Sequence, residues 1–408
     1  MVVEDQNTNP DAEFKAPEWI NTTLIQKALK KSEEHLKVQD ISVKMATTPG
    51  ENFSSSIYRV TVELSNGESR SFVVKGPPPG QTLREATLEL DIFRREGFLL
   101  SDVIPQIEAM LEEAAPGQFP PLAARCPLYD REYLVMQDLA TAGFKMADRK
   151  RGLDLKHGLL ALRSLARYHA GTHAVLRRKP EIADRLPSMW LKPHPATTAF
   201  VEGGVQMAAD ACRLWPGYEE YATLLDEFKT IAMETFLEVY TPKPDEFTVI
   251  VHSDFWVNNM MFRYDEDNPE PKGHRMVDFQ GSTVGSPTLD LLYFLSTSVT
   301  EEVSADNEDL LIREYHRTLD ETLRLLKLEA PPLPELLRAL SAHGPFALMG
   351  CLTVIPLVRA QRAADLEAGV AGDASALAYL YEDAAVRRWL QRLLPEYKRR
   401  GWLPRPDA

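Results

Sequence analysis

A β-rich segment, residues 247–278, interrupts a part of the chain in which helical patterns otherwise dominate. Apolar residues recur at helical spacing over residues 153–175 and again from residue 308 to the end of the chain. The first 140 residues form another β-rich region that also carries helical patterns. Together these patterns predict an α+β fold in which a small β-rich lobe is joined to a larger, mainly helical lobe.

The first β-rich region contains a hairpin signal. A strand-like run that ends at Leu64 is followed by Asn66-Gly67 and by a second such run that ends at Lys75. Asn-Gly between two such runs is typical of a two-residue hairpin turn, because both turn residues adopt positive φ. A charged helical region is predicted over residues 83–100. We predict three parts of the chain, namely an N-terminal extension with a helix (1–38), an N-lobe (39–140) and a C-lobe (141–408).

Composition argues against several classes of protein. The 408 residues include 46 Lys and Arg against 60 Asp and Glu, which gives a formal net charge of −14. An acidic surface repels a phosphate backbone, so nucleic acid is not an expected partner. The three cysteines are far apart and form no CxxC pair, which argues against a zinc site or a disulfide framework.

Targeting and membrane signals are also weak. The first residues are acidic and polar and lack the apolar region of a secretory signal. The longest stretch without Lys, Arg, Asp or Glu, residues 339–358, contains two prolines and is interpreted as buried core rather than as a membrane helix. We therefore expect a cytoplasmic protein without a membrane partner, and the sequence does not indicate an oligomeric state.

The polar residues of the 247–278 segment follow two strand-like runs. Asp254 follows the first run, Asn259 lies five residues later, and Asp278 ends the second run. A carboxylate at a strand exit can accept a proton from a substrate hydroxyl, and carboxylate and amide oxygens suit Mg²⁺ that holds phosphates. Phosphoryl transfer requires little more than an orienting base, metal ions and a clamp for the phosphates. Residues 265–273 are expected to form the turn between the runs.

These motifs resemble a known family. HSDFWVNN followed by VDFQ is similar to the HGDxxxxN and (I/V)D motifs of aminoglycoside-phosphotransferase-like and choline-kinase-like enzymes, and most similar to the ecdysteroid-kinase-like family. GENFSSSIYRV, FVVKGPPP, LARYHA and GSPTLDLLYFLSTS also resemble that family's blocks, in the same order. The resemblance spans most of the chain and implies a two-lobed protein-kinase-like fold and a kinase that uses ATP and Mg²⁺.

The resemblance implies roles for five residues of the C-lobe. Asp254 matches the catalytic base, and Asn259 and Asp278 match the metal-binding residues. His252 is implied to support the catalytic loop, although a histidine taken alone is more often a hydrogen-bonded structural residue. Asp290 matches an aspartate that braces the loop through backbone hydrogen bonds.

In the N-lobe, Lys75 matches the strand lysine that pairs with the α- and β-phosphates of ATP. Glu96 is the best match for the helix glutamate that pairs with Lys75, with Glu85 and Glu89 as alternatives on the same stretch.

Two further N-lobe segments complete the predicted nucleotide site. Residues 50–56 match the turn that covers the phosphates, although this turn has one glycine and three serines instead of the usual glycines. Gln137 and Leu139 follow a predicted strand where an interlobe hinge would present backbone groups to adenine. The predicted phosphate contacts in the turn are Asn52, Ser54 and Ser55.

Two residues depart from the motifs. Ser253 stands where HGD has glycine, which is a small change if φ is negative there. Gln280 stands where protein kinases have the glycine of DFG. The ecdysteroid-kinase-like family itself also has glutamine there, in DFQ.

The expected substrate is a small molecule with a hydroxyl group. Only eleven residues separate Asp278 from Asp290, which leaves almost no room for a peptide-docking segment. The resemblance implies an apolar alcohol such as an ecdysteroid or a related steroid or xenobiotic, with Trp256 and Phe255 as a candidate aromatic wall. Residues 187–240 and the helices after residue 308 are expected to form the pocket. A choline- or aminoglycoside-type kinase and a catalytically silent kinase-like binding protein remain alternatives.

Overall fold

The computed structural model describes residues 14–29, 33, 35–46, 55–188, 191, 195–241, 243, 246–360 and 374–403. The small lobe is built on one antiparallel sheet, and the larger lobe is mainly helical. The α+β, two-lobed, protein-kinase-like architecture predicted from the sequence is therefore confirmed. The residues at which the three parts divide remain a prediction.

The sheet of the small lobe has the strand order β1-β2-β3-β5-β4. The hairpin prediction is confirmed, because β2 and β3 pair antiparallel with Glu63 opposite Ser69. Its turn differs from the predicted two-residue turn, because Gly67 has φ +83° but Asn66 is not among the residues with positive φ. Lys75 lies near the end of β3, opposite Leu134 of β5. The strands are β1 (Val38–Met45), β2 (Ser56–Leu64), β3 (Ser69–Gly76), β4 (Leu128–Tyr129) and β5 (Leu134–Gln137).

A first helix, α1 (Thr22–Leu29), covers one face of this sheet. Its Ile25 and Ala28 are buried in a cluster with Val60 and Val62 of β2. The apolar residues of β2 alternate with less buried ones, as expected for a strand with one buried face.

The region predicted to be helical over residues 83–100 is helical, but it is divided into separate helices. Helix α2 (Gln81–Glu89) is separated from α3 (Ile92–Phe98) by Asp91, whose φ of +52° is left-handed and cannot continue a helix. A π-helical turn, Leu99–Val103, then leads into α4 (Ile104–Ala114). Because of the break, α3 takes its own direction and buries six of its seven residues.

The larger lobe contains two small sheets. One has the order β6-β8-β9, and the other pairs β7 with β10. The β-rich segment predicted over residues 247–278 thus contributes β7, β8 and β9. The strands are β6 (Phe144–Met146), β7 (Val249–Val251), β8 (Met260–Asp265), β9 (Asn268–Met276) and β10 (Thr283–Gly285).

The turn between β8 and β9 is shorter than predicted. We expected residues 265–273 to form it, but β9 begins at Asn268 and contains Pro269 and Pro271. Proline is tolerated because β9 lies at the edge of its sheet, where an N–H group is not required for pairing. The register shifts beside Tyr264 absorb the irregularity.

Helices form the rest of the larger lobe, around a long central helix, α5. The apolar face of α5 includes Ala161, Leu162, Leu165 and Ala166, each fully buried. The three cysteines are buried and form no disulfide. The helices are α5 (Leu155–Arg178), α6 (Pro195–Leu214), α7 (Glu219–Tyr240), α8 (Thr288–Thr297), α9 (Glu301–Asp306), α10 (Glu308–Leu325), α11 (Leu333–Ala342), α12 (Gly344–Arg359) and α13 (Ala384–Arg400).

The uncharged stretch at residues 339–358 falls mainly on α12, most of whose residues are buried inside the lobe. In the described part of the chain, no single helix has the length and apolar character to cross a membrane. Helices α11 and α12, which are bent by 54° relative to each other, are together long and apolar enough to span a membrane by length and composition alone.

Two glycines of α5 give a matched test of how closely this core is packed. A Cβ at Gly171 would overlap the side chain of Ile107 on α4, whereas a Cβ at Gly158 would only touch Leu311 at 3.4 Å. Overpacking costs about 1–3 kcal/mol, and replacing a helical glycine with alanine returns about 0.5–1 kcal/mol. We expect Gly171→Ala to lower the free energy of unfolding in urea and Gly158→Ala to leave it unchanged or slightly higher. Equal stability of the two variants would contradict the close approach of α4 and α5.

Candidate active site

An ion cluster joins the two lobes. The ammonium of Lys75 on β3 lies 2.7 Å from the Glu96 carboxylate on α3 and 2.6 Å from Oδ1 of Asp278. Lys75 is 2% exposed and Glu96 is 1% exposed. Of the glutamates considered in the sequence, Glu96 is the one whose carboxylate contacts Lys75. The contact with Asp278 was not predicted.

The cluster keeps Lys75 charged. Burial alone lowers the pKa of a lysine, but the charges of Asp278 and Glu96 outweigh it and hold the pKa of Lys75 above its ordinary value. One ammonium faces two carboxylates, so the cluster has an excess of negative charge.

Helix α3 is attached to the larger lobe by two neighbouring residues. Glu96 accepts a hydrogen bond of 3.3 Å from the backbone N–H of Phe279. The buried guanidinium of Arg95 donates to the backbone carbonyl of Ser282 at 2.7 Å. These contacts fix α3 to the segment that follows Asp278, so the position of Glu96 is set by both lobes.

The loop after β7 is held by Asp290, a fully buried residue in the first turn of α8. Its carboxylate accepts the backbone N–H groups of His252 at 2.7 Å and of Ser253 at 2.8 Å. It also lies 3.0 Å from Nε2 of His169, whose Nδ1 is 2.7 Å from the hydroxyl of Tyr315. Three donors thus converge on one buried carboxylate.

His252 connects this loop to the other chemical segment. Its Nε2 lies 3.0 Å from the backbone carbonyl of Val277, immediately before Asp278. Burial lowers the pKa of His252, so the neutral ring donates through Nε2–H to the carbonyl. His252 therefore ties the Asp254 loop to the Asp278 segment.

Two residues of the site have left-handed backbones. Ser253 has φ +65° and Asp278 has φ +66°. The expectation that serine for glycine is a small change depended on a negative φ at Ser253, and that condition is wrong. A non-glycine residue at positive φ is strained and persists where surrounding contacts fix it. The Asp290 carboxylate, bonded to the N–H of Ser253 itself, is such a contact.

Asp254 is half-buried and held by two side chains. Asn259 donates its amide N–H to Oδ2 of Asp254 at 2.8 Å and to its backbone carbonyl at 2.9 Å. The hydroxyl of Tyr293 on α8 donates to Oδ1 at 3.0 Å. Both contacts fix the rotation of the carboxylate.

The surroundings of Asp254 favour its protonated form. Burial, together with the charge of Asp278, raises the pKa of Asp254 to about 7, although hydrogen bonds from Tyr293 and Asn259 act in the opposite direction. A carboxylate with a raised pKa is a stronger proton acceptor than an exposed aspartate, which suits general base chemistry.

The remaining predicted nucleotide contacts are only partly described. Asn52 and Ser54 lie outside the described residues, and Ser55 is buried next to the start of β2. Gln137 is exposed at the end of β5, and its backbone N–H bonds the carbonyl of Arg125 at 2.8 Å. Leu139 is buried in a short helical turn and belongs to a small apolar cluster that lies between the sheets of the two lobes. The other members of that cluster are Ala124, Phe144, Met261 and Val277.

Phe255 and Trp256 were expected to form an aromatic wall beside Asp254, but both are buried in the structure. Phe255 is fully buried against Phe294 at 5.6 Å and belongs to the core. Trp256 is also largely buried.

A different aromatic cluster lies close to Asp254, on α7 and α12. Tyr240 packs against Phe236 at 5.0 Å and against Phe346 at 5.8 Å between ring centres. Burial chiefly, and also the charges of Asp290 and Asp254, raise the pKa of Tyr240. The helices expected to form the acceptor pocket therefore bring aromatic rings near the carboxylate.

The donor atoms near Asp254 fit a hard divalent cation. Asn259 uses its amide nitrogen on Asp254, so its carbonyl oxygen is the atom that can bind a metal, and Asp278 offers a carboxylate. Within the described ranges, no group of three or more His, Cys, Asp or Glu side chains is arranged to hold a metal ion. A cation with these two protein ligands requires the rest of its ligands from phosphates and water.

Tyr293 and Arg95 are site residues that sequence reasoning missed. Tyr293 follows Asp290 by three residues, which places both on one side of a helix, and that spacing was a usable signal. Arg95 precedes Glu96 and carries no signal of its own, because its partner is a backbone carbonyl far along the chain.

Comparison with known proteins identifies the family. The ecdysteroid kinase-like family matches residues 49–328, which is more than half of the chain. The chain belongs to the ecdysteroid kinase-like family. The family resemblance predicted from the sequence is thus confirmed, and membership supports a small-molecule phosphotransferase of the kinase type. No curated protein matches the chain.

Solved structures similar to this family member include three antibiotic phosphotransferases. The apoenzyme of macrolide 2'-phosphotransferase MphH from Brachybacterium faecium is 14% identical over 85% of this chain and 97% of its own, with a TM-score of 0.37. The streptomycin-ATP-APH(2")-IIa ternary complex is 13% identical over 90% and 99%, with a TM-score of 0.38. ADP-bound aminoglycoside phosphotransferase APH(2'')-Ib is 13% identical over 87% and 98%, with a TM-score of 0.36.

His274, which packs behind the loop that follows β7, makes the stability of the fold depend on pH. It is 2% exposed, neither ring nitrogen has a hydrogen-bond partner, and it packs 5.0 Å from Phe262. Burial chiefly lowers the pKa of His274 to about 3, whereas an unfolded histidine has a pKa of about 6.5. The unfolded state therefore binds a proton first as the pH falls, and His274 destabilises the fold between those values by up to about 1.4 kcal/mol per pH unit.

We expect His274→Leu to lose less stability than the wild type between pH 6.5 and pH 5, measured by urea unfolding. His35→Leu removes an exposed histidine and serves as the control, with no change in this slope. An unchanged slope for His274→Leu would show that the buried ring is already protonated or bonded in the fold.

Proposed function

We propose that the protein is a kinase that transfers the γ-phosphate of ATP to a hydroxyl group of an apolar small molecule, such as an ecdysteroid or a related steroid or xenobiotic alcohol. The observation that carries the proposal is the combination of two sets of contacts. Lys75 lies between Glu96 and Asp278, and Asp254 is oriented by Asn259 and Tyr293.

Lys75, Asp278 and Asn259 are the proposed nucleotide-binding residues. Lys75 contacts the α- and β-phosphates, with Glu96 holding its ammonium in place. Asn259 and Asp278 supply oxygen ligands to Mg²⁺, which neutralises charge on the phosphates when it is bound. Leu139 and its apolar neighbours are the proposed adenine contacts.

Asp254 is the proposed general base. It accepts the proton of the substrate hydroxyl while the new O–P bond forms to the γ-phosphorus. The bond between the γ-phosphorus and the β–γ bridging oxygen breaks, and ADP leaves with that electron pair. Asn259 and Tyr293 hold the carboxylate in the orientation that this proton transfer requires.

The aromatic cluster supports an apolar acceptor. Tyr240 and Phe346 are buried in the core, whereas Phe236, which packs against Tyr240, is half-buried and leaves ring surface that suits an apolar body better than a polycation. An aminoglycoside would instead require clustered carboxylates around the acceptor. A phosphorylation screen read by mass spectrometry, with ecdysteroids, other steroid alcohols, choline and aminoglycosides in parallel, separates these substrates.

The same screen tests whether the protein is an active kinase at all. A protein that binds MgATP in a thermal-shift assay but phosphorylates no alcohol would favour a silent binding protein. A protein with no nucleotide-dependent shift would contradict the nucleotide site itself.

We expect Asp254→Asn to lower turnover by about 10²–10⁴-fold while MgATP binding persists, because the amide cannot accept the proton. Steady-state kinetics and a thermal shift with MgATP measure the two properties. Asp265→Asn is the matched control, since Asp265 lies on the same segment but is exposed and paired with Lys272. Turnover unchanged in Asp254→Asn would contradict its assignment as the base.

We expect Tyr293→Phe to lower kcat by about 10–100-fold, the value of a hydrogen bond to a charged group, with the KM for ATP unchanged. Tyr315→Phe removes a hydroxyl that bonds His169 rather than Asp254, and it controls for loss of a buried hydrogen bond. If both variants lowered kcat equally, Tyr293 would act only through folding.

A further inference from the structure

A cavity of about 620 Å³ lies on the side of α8 away from Asp254. Helices α8, α9, α10 and α13 form most of its wall, with α11 and Trp402 at its margin. Sites for small ligands are typically about 300–1,000 Å³ in volume. Part of the lining is apolar and continuous, and it consists of Leu292, Leu295, Ile312, Leu337, Ala347 and Leu393.

Most charged side chains of this rear cavity neutralise one another. Arg400 binds both Glu308 and Glu396, and Arg399 also binds Glu396. Asp309 is paired with Arg313 outside the cavity. Two charged residues of the lining are left without an ion-pair partner among the described residues.

Arg392 and Asp306 are these two residues, and their surroundings differ. Asp306 is exposed, so water and salt screen its charge. Arg392 is half-buried, and its Nε–H is closed to solvent and has no hydrogen-bond partner. Among the described residues, its Nη2 donates to the hydroxyl of Ser304 at 2.9 Å, and its guanidinium lies over Trp389 at 4.7 Å. A half-buried cation without an ion-pair partner favours an anion.

A second unpaired donor lies in the same lining. The indole N–H of Trp402, a residue 8% exposed, has no hydrogen-bond acceptor among the described residues. It is closed to solvent, like the Nε–H of Arg392, so the preference for an anion rests on the guanidinium of Arg392 and not on this donor.

We propose that the rear cavity binds an amphipathic carboxylate, with its head group at Arg392 and Ser304 and its hydrocarbon body over the apolar lining. The head group accepts hydrogen bonds from the Nη groups of Arg392 and from the Ser304 hydroxyl. The site is separate from the proposed ATP and alcohol sites, because α8 lies between them. Asp290 and Tyr293 contact the catalytic loop from one side of α8, and Leu292 and Leu295 face the cavity from the other.

The test is calorimetric titration of the full chain with octanoate, 1-octanol and octyltrimethylammonium, which share one tail and differ in the charge of the head group. We expect octanoate to bind more tightly than 1-octanol and the cationic probe not to bind in the cavity. Arg392→Gln should weaken the affinity for octanoate by about 10–100-fold and leave the affinity for 1-octanol unchanged. The affinity of Arg392→Lys for octanoate should lie between those of the wild type and Arg392→Gln. The matched control is Arg388→Gln, an exposed arginine of the same helix that does not line the cavity.

A second variant locates the hydrocarbon tail. Leu337 is 37% exposed on α11, so Leu337→Glu should fold and should weaken octanoate and 1-octanol together. Equal affinity for octanoate and 1-octanol, or octanoate binding unaffected by Arg392→Gln, would overturn the proposal. No binding of octanoate to the wild type would also overturn it. None of these readouts depends on kinase activity, so they stand apart from the tests of the proposed function.

Discussion

The buried carboxylate of Asp290 is the contact on which the candidate site depends. A charged group without solvent is costly unless donors surround it, and here three donors converge on it, two of them consecutive backbone N–H groups. For both amides to reach one carboxylate, Ser253 must adopt a left-handed backbone, a conformation that costs about 1–3 kcal/mol outside glycine. The hydrogen bonds of Asp290 thus maintain a strained loop, and that loop sets where Asp254 begins.

The ion cluster between the lobes makes a second constraint. Lys75 neutralises only one of the two carboxylates that it contacts, Glu96 and Asp278. A polyphosphate without a cation would add further negative charge beside Asp278, whereas one that carries a divalent cation would not. Under the proposed function, the excess negative charge would therefore favour a metal-complexed nucleotide over a free one. Since Arg95 and Glu96 both bond the segment after Asp278, α3 and this segment are expected to move together if the lobes open.

The sequence predicted those features whose causes are local. Gly67 marks its own hairpin turn, because glycine tolerates the φ of +83° that the turn requires. The order of residues in the motifs placed Asp254, Asn259 and Asp278 in one site, and the structure brings Asn259 to Asp254, although the role of Asp254 as a base stays a prediction. The positive φ of Ser253 and the hydrogen bond from Tyr293 were not predicted, because each is fixed by contacts with distant parts of the chain. The break at Asp91 was not predicted either.

Helix α8 shows why the rest of the site required a structure. From the sequence it is an apolar helix with one acidic residue in its first turn, and an aspartate there has an ordinary explanation in the helix dipole. Packed in the fold, one side of α8 supplies Asp290 and Tyr293 to the catalytic loop, and the other lines the rear cavity. The rear cavity, of about 620 Å³, is partly open to solvent and has the volume of a small-ligand site. Its unpaired arginine is best explained by an anionic ligand, because self-neutralised charges elsewhere in the same lining show that the chain pairs its arginines where a carboxylate is in reach.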